Sequence, residues 1–97
     1  MGFSHVARPW LLLRTMGSTI YSNEHRAFVT LLRELREGAG LTQEELAARL
    51  ERDQPWVSVV ESGQRRIDVV ELREMCKALA IDSVEFMKML EDRRLAG

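Results

Sequence analysis

Gln43 and Gln54 stand eleven residues apart, each at the start of a short helical stretch, with Arg49, Arg52, Arg65 and Arg66 nearby. A glutamine amide offers a donor and an acceptor on one planar edge, and an arginine offers a fixed fork of donors for a phosphate. Other chemistry is poorly supplied. Cys76 is the only cysteine, which excludes an intramolecular disulfide and a thiol cluster for a metal. His25 has no Cys, Asp or second His at ligand spacing, and His5 stands by itself, so neither a metal nor a cofactor is expected. The adjacent carboxylates Glu44 and Glu45 belong to a helix start. There is no nucleophile–base–acid set and no Gly-rich phosphate loop after a strand, so catalysis is not expected.

The elements that must position these groups are helical. The chain has 97 residues, 45% of them hydrophobic, which suits one compact domain and argues against intrinsic disorder. Phe28, Leu31, Leu32 and Leu35 mark one buried helix face, opened at Ser22 or Asn23 and closed by Gly38-Ala39-Gly40. Thr42 to Glu45 is a capping box leading a second helix that buries Leu46, Ala47 and Leu50. Asp53 caps a third helix; Pro55 is tolerable there because it falls in the first turn, and Ser62-Gly63 ends the helix. Asp68 to Glu71 opens a fourth helix with Leu72, Met75, Cys76 and Leu79 on one face. Asp82 to Glu85 opens a fifth, running to about Arg93. No hairpin signal occurs, so the expected class is all-α with five short helices.

Charge sharpens the organisation. Fourteen basic residues stand against fifteen acidic ones, a net charge of −1 that excludes a polycationic coat but not a local basic face. Within 49–66, four arginines (Arg49, Arg52, Arg65, Arg66) face three acids (Glu51, Asp53, Glu61), whereas the scaffold on either side is net acidic. Residues 1–22 read as a flexible leader: Arg8 and Arg14 without an acid, Pro9, Gly17 and the apolar run Trp10 to Leu13. A mis-assigned start before Met16 is the alternative. No run approaches the ~20 apolar residues of a membrane span, and the lone thiol points to a reduced, cytoplasmic setting.

The stretch Thr42 to Gly63 is two helices broken only at Glu51-Arg52-Asp53, which forces the sharp crossing of a helix-turn-helix. Ala47 is the small residue where the helices press together, with Leu46, Leu50, Val57 and Val60 as apolar contacts. The runs Leu41 to Leu50 (LTQEELAARL), Val57 to Gly63 (VSVVESG) and Arg65 to Leu72 (RRIDVVEL), with Ala78-Leu79, resemble the Cro/C1-type (XRE) helix-turn-helix family over residues 27–82. That resemblance implies a five-helix, lambda-repressor-like DNA-binding domain working as a dimer on a palindromic operator.

Position by position, the resemblance implies that Gln43 touches phosphate and braces the recognition helix, with Thr42 beside it in the DNA-binding set. It gives Gln54, with Ser58 and Trp56, the reading of bases, Gln54 pairing with adenine N6 and N7. Arg52, Gln64, Arg65 and Arg66 would hold phosphates, and Arg36 with Glu61 would form a buried structural ion pair. The family often has glycine in the turn where Glu51 stands, a departure that requires a different closure or a strained φ. Pro55, Val59 and Asp53 thin the set of polar readers, and Trp56 could instead pack against the neighbouring loop. The expected domains are the leader (1–22), the helix-turn-helix domain (23–82) and a C-terminal helix (83–97) whose Phe86, Met87, Met89 and Leu90 form a dimer seam. The resulting reading is a cytoplasmic, sequence-specific regulator that binds double-stranded DNA as a homodimeric repressor, with no membrane partner. Two alternatives stand beside it: an antitoxin whose leader grips a toxin while it represses their shared operon, and a protein-interaction module with a DNA-inactive helix-turn-helix.

Overall fold

The computed structural model describes residues 18–96, which form five helices: α1 (Ser18–Gly38), α2 (Gln43–Arg49), α3 (Gln54–Glu61), α4 (Val69–Ala78) and α5 (Ser83–Ala96). The class is all-α, with no strand among the described residues. Two boundaries differ from expectation, the smaller being the end of α5, which runs to Ala96 rather than about Arg93. The first helix does not start at a Ser22 or Asn23 cap; it begins at Ser18 and spans 21 residues, so it is not short and its first turn takes in residues assigned to the leader. Trp10 and Leu11 to Leu13 lie outside the described residues.

The other starts are set by side-chain oxygens. Thr42 and Asp68 each accept from the backbone N–H three residues on, while Glu45 and Glu71 reach back to the N–H of the capping residue. Asp53 accepts from Trp56 N at 3.1 Å, and Asp82 from Val84 N and Glu85 N. Each device satisfies donors that the first turn of a helix leaves without a partner.

The ends of α1 to α4 share a different device. At each, paired backbone bonds fold the chain back on the last turn, as in Arg52 N to Ala47 O at 2.9 Å and Glu51 N to Ala48 O at 3.1 Å after α2. This reversal needs one residue in the left-handed region. Gly40 and Gly63 supply it after α1 and α3, but Glu51 and Ala80 supply it after α2 and α4, both at φ 57°. The turn of the helix-turn-helix therefore closes in the ordinary way on a residue whose Cβ resists it.

The core forms where α1 packs on α3 and α5, α2 on α3, and α4 on α5. Leu31, Leu32, Leu46, Val57, Val60, Met75, Cys76 and Phe86 are fully buried, and Ala47 is 2% exposed at the α2–α3 crossing. The Phe86 ring meets Phe28 edge-on, with centroids 5.8 Å apart. Arg93 donates to Glu34, tying α5 to α1. Burial pushes the Cys76 thiol up, with the Asp82 charge adding to the shift, so it is packing rather than nucleophile.

Replacing Glu51 by Gly should relieve the left-handed strain of about 1–2 kcal/mol, less the greater freedom of glycine in the unfolded chain. A net gain of about 0.5–1 kcal/mol in urea unfolding is expected.

Candidate nucleic-acid interface

The carboxylate of Glu61, at the last turn of α3, lies 3% exposed between α1 and α2. Arg36 from α1 meets it with two nearly parallel bonds, Nε to Oε2 at 2.6 Å and Nη2 to Oε1 at 3.0 Å. The third nitrogen of Arg36, Nη1, donates to Leu41 O at 2.8 Å in the α1–α2 loop. Arg33 approaches the same carboxylate at 3.7 Å from the solvent side. The bonds to Glu61 raise the Arg36 guanidinium above its ordinary range, against the opposing effect of burial.

From this pair a polar chain runs outward. Gln43 Nε2 donates to Glu61 Oε1 at 3.0 Å, and Gln54 Nε2 donates to Gln43 Oε1 at 2.8 Å. A carboxylate only accepts, so Gln43 must turn its nitrogen inward and its oxygen toward Gln54. Gln54 must then answer with its nitrogen. One amide hydrogen of Gln54 is taken up in this way, leaving its second hydrogen and its oxygen for another partner.

A second cluster lies beside the start of α3. Arg52 stands 4.1 Å and Arg65 5.2 Å from the centroid of the Trp56 ring. Both guanidiniums also reach Glu71 of α4, Arg52 at 3.3 Å and Arg65 at 3.2 Å. The bond from Asp68 N and then the contact with Arg65 hold the Glu71 carboxyl below the usual glutamate range. Likewise, the Thr42 backbone bond lowers Glu45.

The remaining expected residues are scattered around these two groups. The Thr42 hydroxyl accepts from Glu45 N in the α2 cap, and Ser58 is half-buried on α3. Gln64 is exposed just beyond α3. Trp56 does not offer a polar edge to a base: Nε1 is buried, with no hydrogen-bond partner among the described residues. Its indole is instead a platform for the two arginines. Arg66 departs from Arg52 and Arg65 and lines a groove of about 400 Å³ with His25, Phe28, Ile67, Met87 and Leu90. Arg49 donates to Ala78 O at 3.0 Å, closing the end of α4. His25 bonds Gly63 O at 3.2 Å and joins α1 to the end of α3.

The seam expected on α5 requires a correction. Phe86 is fully buried within the protomer and packs on Phe28, so it cannot meet a second copy. Met89 and Leu90 are half-buried against the core, whereas Met87 (43% exposed) and Val84 (63%) are left at the surface. Sequence reasoning missed Glu71 and Arg33. Glu71 was visible as a cap, but its nineteen-residue link to Arg52 has no local sequence signal.

No helix among the described residues is long and apolar enough to cross a membrane. A family model described as a helix-turn-helix domain matches residues 27–86. An uncharacterized HTH-type transcriptional regulator, y4dJ, of Sinorhizobium fredii (strain NBRC 101917 / NGR234) is 42% identical over 53 residues, which cover 55% of this chain and 69% of that one. Among solved structures, an XRE-family-like protein from Pseudomonas syringae pv. tomato str. DC3000 is 41% identical with a TM-score of 0.72, covering 77% of this chain and 92% of that chain. The restriction-modification controller C.Esp1396I, solved as a tetramer in complex with its natural 35-base-pair operator, is 26% identical with a TM-score of 0.69, covering 74% and 95%. The controller C.AhdI from Aeromonas hydrophila is 38% identical with a TM-score of 0.61, covering 66% and 93%.

Two stability tests follow from the geometry. Glu61→Ala should cost about 3–5 kcal/mol because it strands the Arg36 charge, whereas Arg36→Met with Glu61→Leu should recover most of that in urea unfolding. The lowered Glu45 and Glu71 carboxyls favour the folded state only when ionised. Their contribution is fully present above the ordinary glutamate value of 4.5 and is lost as pH falls through the lower folded values. The urea midpoint should therefore drop below that pH, less steeply in Glu71→Gln.

Proposed function

Because the chain belongs to the XRE-type helix-turn-helix transcriptional regulators, we propose that it binds operator DNA as a homodimer through the major groove and represses the promoter that the operator overlaps. The observation that carries this reading is the polar chain Glu61–Gln43–Gln54. It leaves Gln54 with one amide hydrogen and the oxygen uncommitted, the donor and acceptor types that adenine N7 and N6 require. Gln43 braces that amide and is the phosphate-side residue at the start of α2, beside Thr42. Ser58 reads alongside Gln54. Arg52 and Arg65 hold phosphates from the Trp56 platform, and Gln64 and Arg66 extend the contact along the loop.

In this reading, residues 23–82 are the DNA-binding domain and the helix of 83–97 contributes the seam, through Val84, Met87 and the exposed part of Leu90. Two copies would set their α3 helices about 34 Å apart, one turn of the duplex. The charge of the face supports the need for two. With only one basic residue in excess over 49–66, a single protomer displaces few counterions. The tetramer of C.Esp1396I on its operator supports a multi-copy arrangement in this fold. The buried, unreactive Cys76 suits action in the cytoplasm.

The deciding experiment selects bound sequences from a random duplex pool and measures the oligomeric state on the same preparation. Enrichment of a two-fold symmetric site by a dimer is expected. Absence of binding at low salt, or binding indifferent to salt, would sink the proposal. At the selected site Gln54→Ala should lose about 1–3 kcal/mol and leave affinity for random duplex unchanged. Arg66→Ala should weaken binding to all sequences alike.

A further inference from the structure

We infer that Glu71 is a positioning residue for the basic side of this face, fixing Arg52 and Arg65 against Trp56 and keeping one negative charge between them, so that it restrains indiscriminate DNA binding in favour of selective binding. The inference rests on the DNA-binding reading above and deepens it.

Every acceptor position of the Glu71 carboxylate is engaged. Oε1 receives Asp68 N at 2.9 Å and Arg65 Nη1 at 3.3 Å; Oε2 receives Arg65 Nη2 at 3.2 Å and Arg52 Nη2 at 3.3 Å. The contact with Arg65 is two-toothed, which fixes the plane of the guanidinium as well as its position. The Trp56 ring provides the second constraint, since both guanidiniums lie within reach of its π face. Burial is graded across the cluster. The Glu71 side chain is 15% exposed, Arg52 35% and Arg65 41%, so the carboxylate is covered while both cations keep open surface.

Two guanidiniums crowded on one indole would otherwise repel each other; Arg65 would keep only its Nη1 bond to Arg66 O at 2.9 Å, and Arg52 would swing toward any phosphate in range. With Glu71 between them the trio carries one net positive charge instead of two. A phosphate must then come to where the guanidiniums are held, which only a correctly docked duplex does. Non-specific attraction scales with the phosphates neutralised, so removing the restraint raises it. Selectivity falls because the added affinity is shared by every sequence.

The test compares the wild-type chain, Glu71→Gln, Asp68→Ala and Trp56→Leu for binding to random-sequence duplex and to the sequence selected above, across a salt series, with thermal melting in parallel. The glutamine oxygen of Glu71→Gln can still accept from Asp68 N, so α4 stays capped. That variant should bind random duplex about 3–10-fold tighter at low salt, with a log–log salt slope steeper by up to about 0.9, and its preference for the selected sequence should fall by a similar factor. Asp68→Ala removes the cap but leaves the carboxylate with its arginines, so it should melt earlier with unchanged preference. Trp56→Leu removes the platform but no charge, so preference should fall while the salt slope holds. If Glu71→Gln alters binding no more than Asp68→Ala does, or if Trp56→Leu keeps full preference, Glu71 is a cap only and the inference falls. A wild-type chain that binds no duplex at low salt overturns the underlying reading instead, before any variant is compared.

Discussion

A carboxylate removed from water must be met by donors or lose its charge, and Glu61 is met by three side chains at hydrogen-bond range or close to it, from two other helices. That requirement organises the whole domain. Arg36 can satisfy Glu61 in two-toothed fashion only if α1 crosses α3 at the distance where Leu31 and Leu32 also reach Val57 and Val60 in the core. Gln43 can donate only if α2 starts beside the end of α3. The remaining nitrogen of Arg36 then closes the α1–α2 loop at Leu41 O. Replacing such a pair with apolar side chains is often no loss in stability, so its value here lies in orientation. Because Glu61 cannot donate, the direction of every amide outward from it is determined.

The angle between α2 and α3 depends on a second constraint, which works against the first. The chain must reverse within a few residues, and the paired bonds after α2 require a left-handed residue at 51. Glycine would adopt that conformation without strain. Glutamate does so only because neighbouring contacts over-determine it: Leu46 and Ala47 are buried against α3, and Asp53 holds the next helix start at Trp56 N. The strain is thus stored between two firmly anchored turns. Ala80 repeats the arrangement ahead of α5, where Ile81 and Phe86 pack on the core.

Much of this was legible in the sequence because the signals are local. Capping oxygens act over three residues and the apolar stripe over one turn, so α2 to α4 could be bounded from residue types and their spacing. The start of α1 could not. Ser22 and Asn23 are good caps in isolation, but nothing local forbids the extra turn back to Ser18. On α5 the apolar residues spread around the helix, so periodicity did not distinguish inward from outward positions. Phe86 was resolved only by its contact with Phe28, far away in sequence. The second cluster was illegible for the same reason. Arg52, Trp56, Arg65 and Glu71 come from the turn, α3, the following loop and α4, and only the packed fold brings them together.

The near-neutral charge of the chain now has a physical account. Of the three acids in 49–66, Glu61 is neutralised from below by Arg36, and Asp53 is turned into its own helix end, where the N–H dipoles favour an anion. Glu61 is thereby withdrawn from an approaching polyanion, whereas Asp53 stays exposed at the helix start. Glu71 lies outside that segment by sequence yet acts within it by position, so the effective charge beside Trp56 is lower than the local arginine count suggests. A net charge therefore describes this surface poorly. What a phosphate would meet is a set of cations whose directions have been fixed by buried or capping acids, and direction is what a tally of charges leaves out.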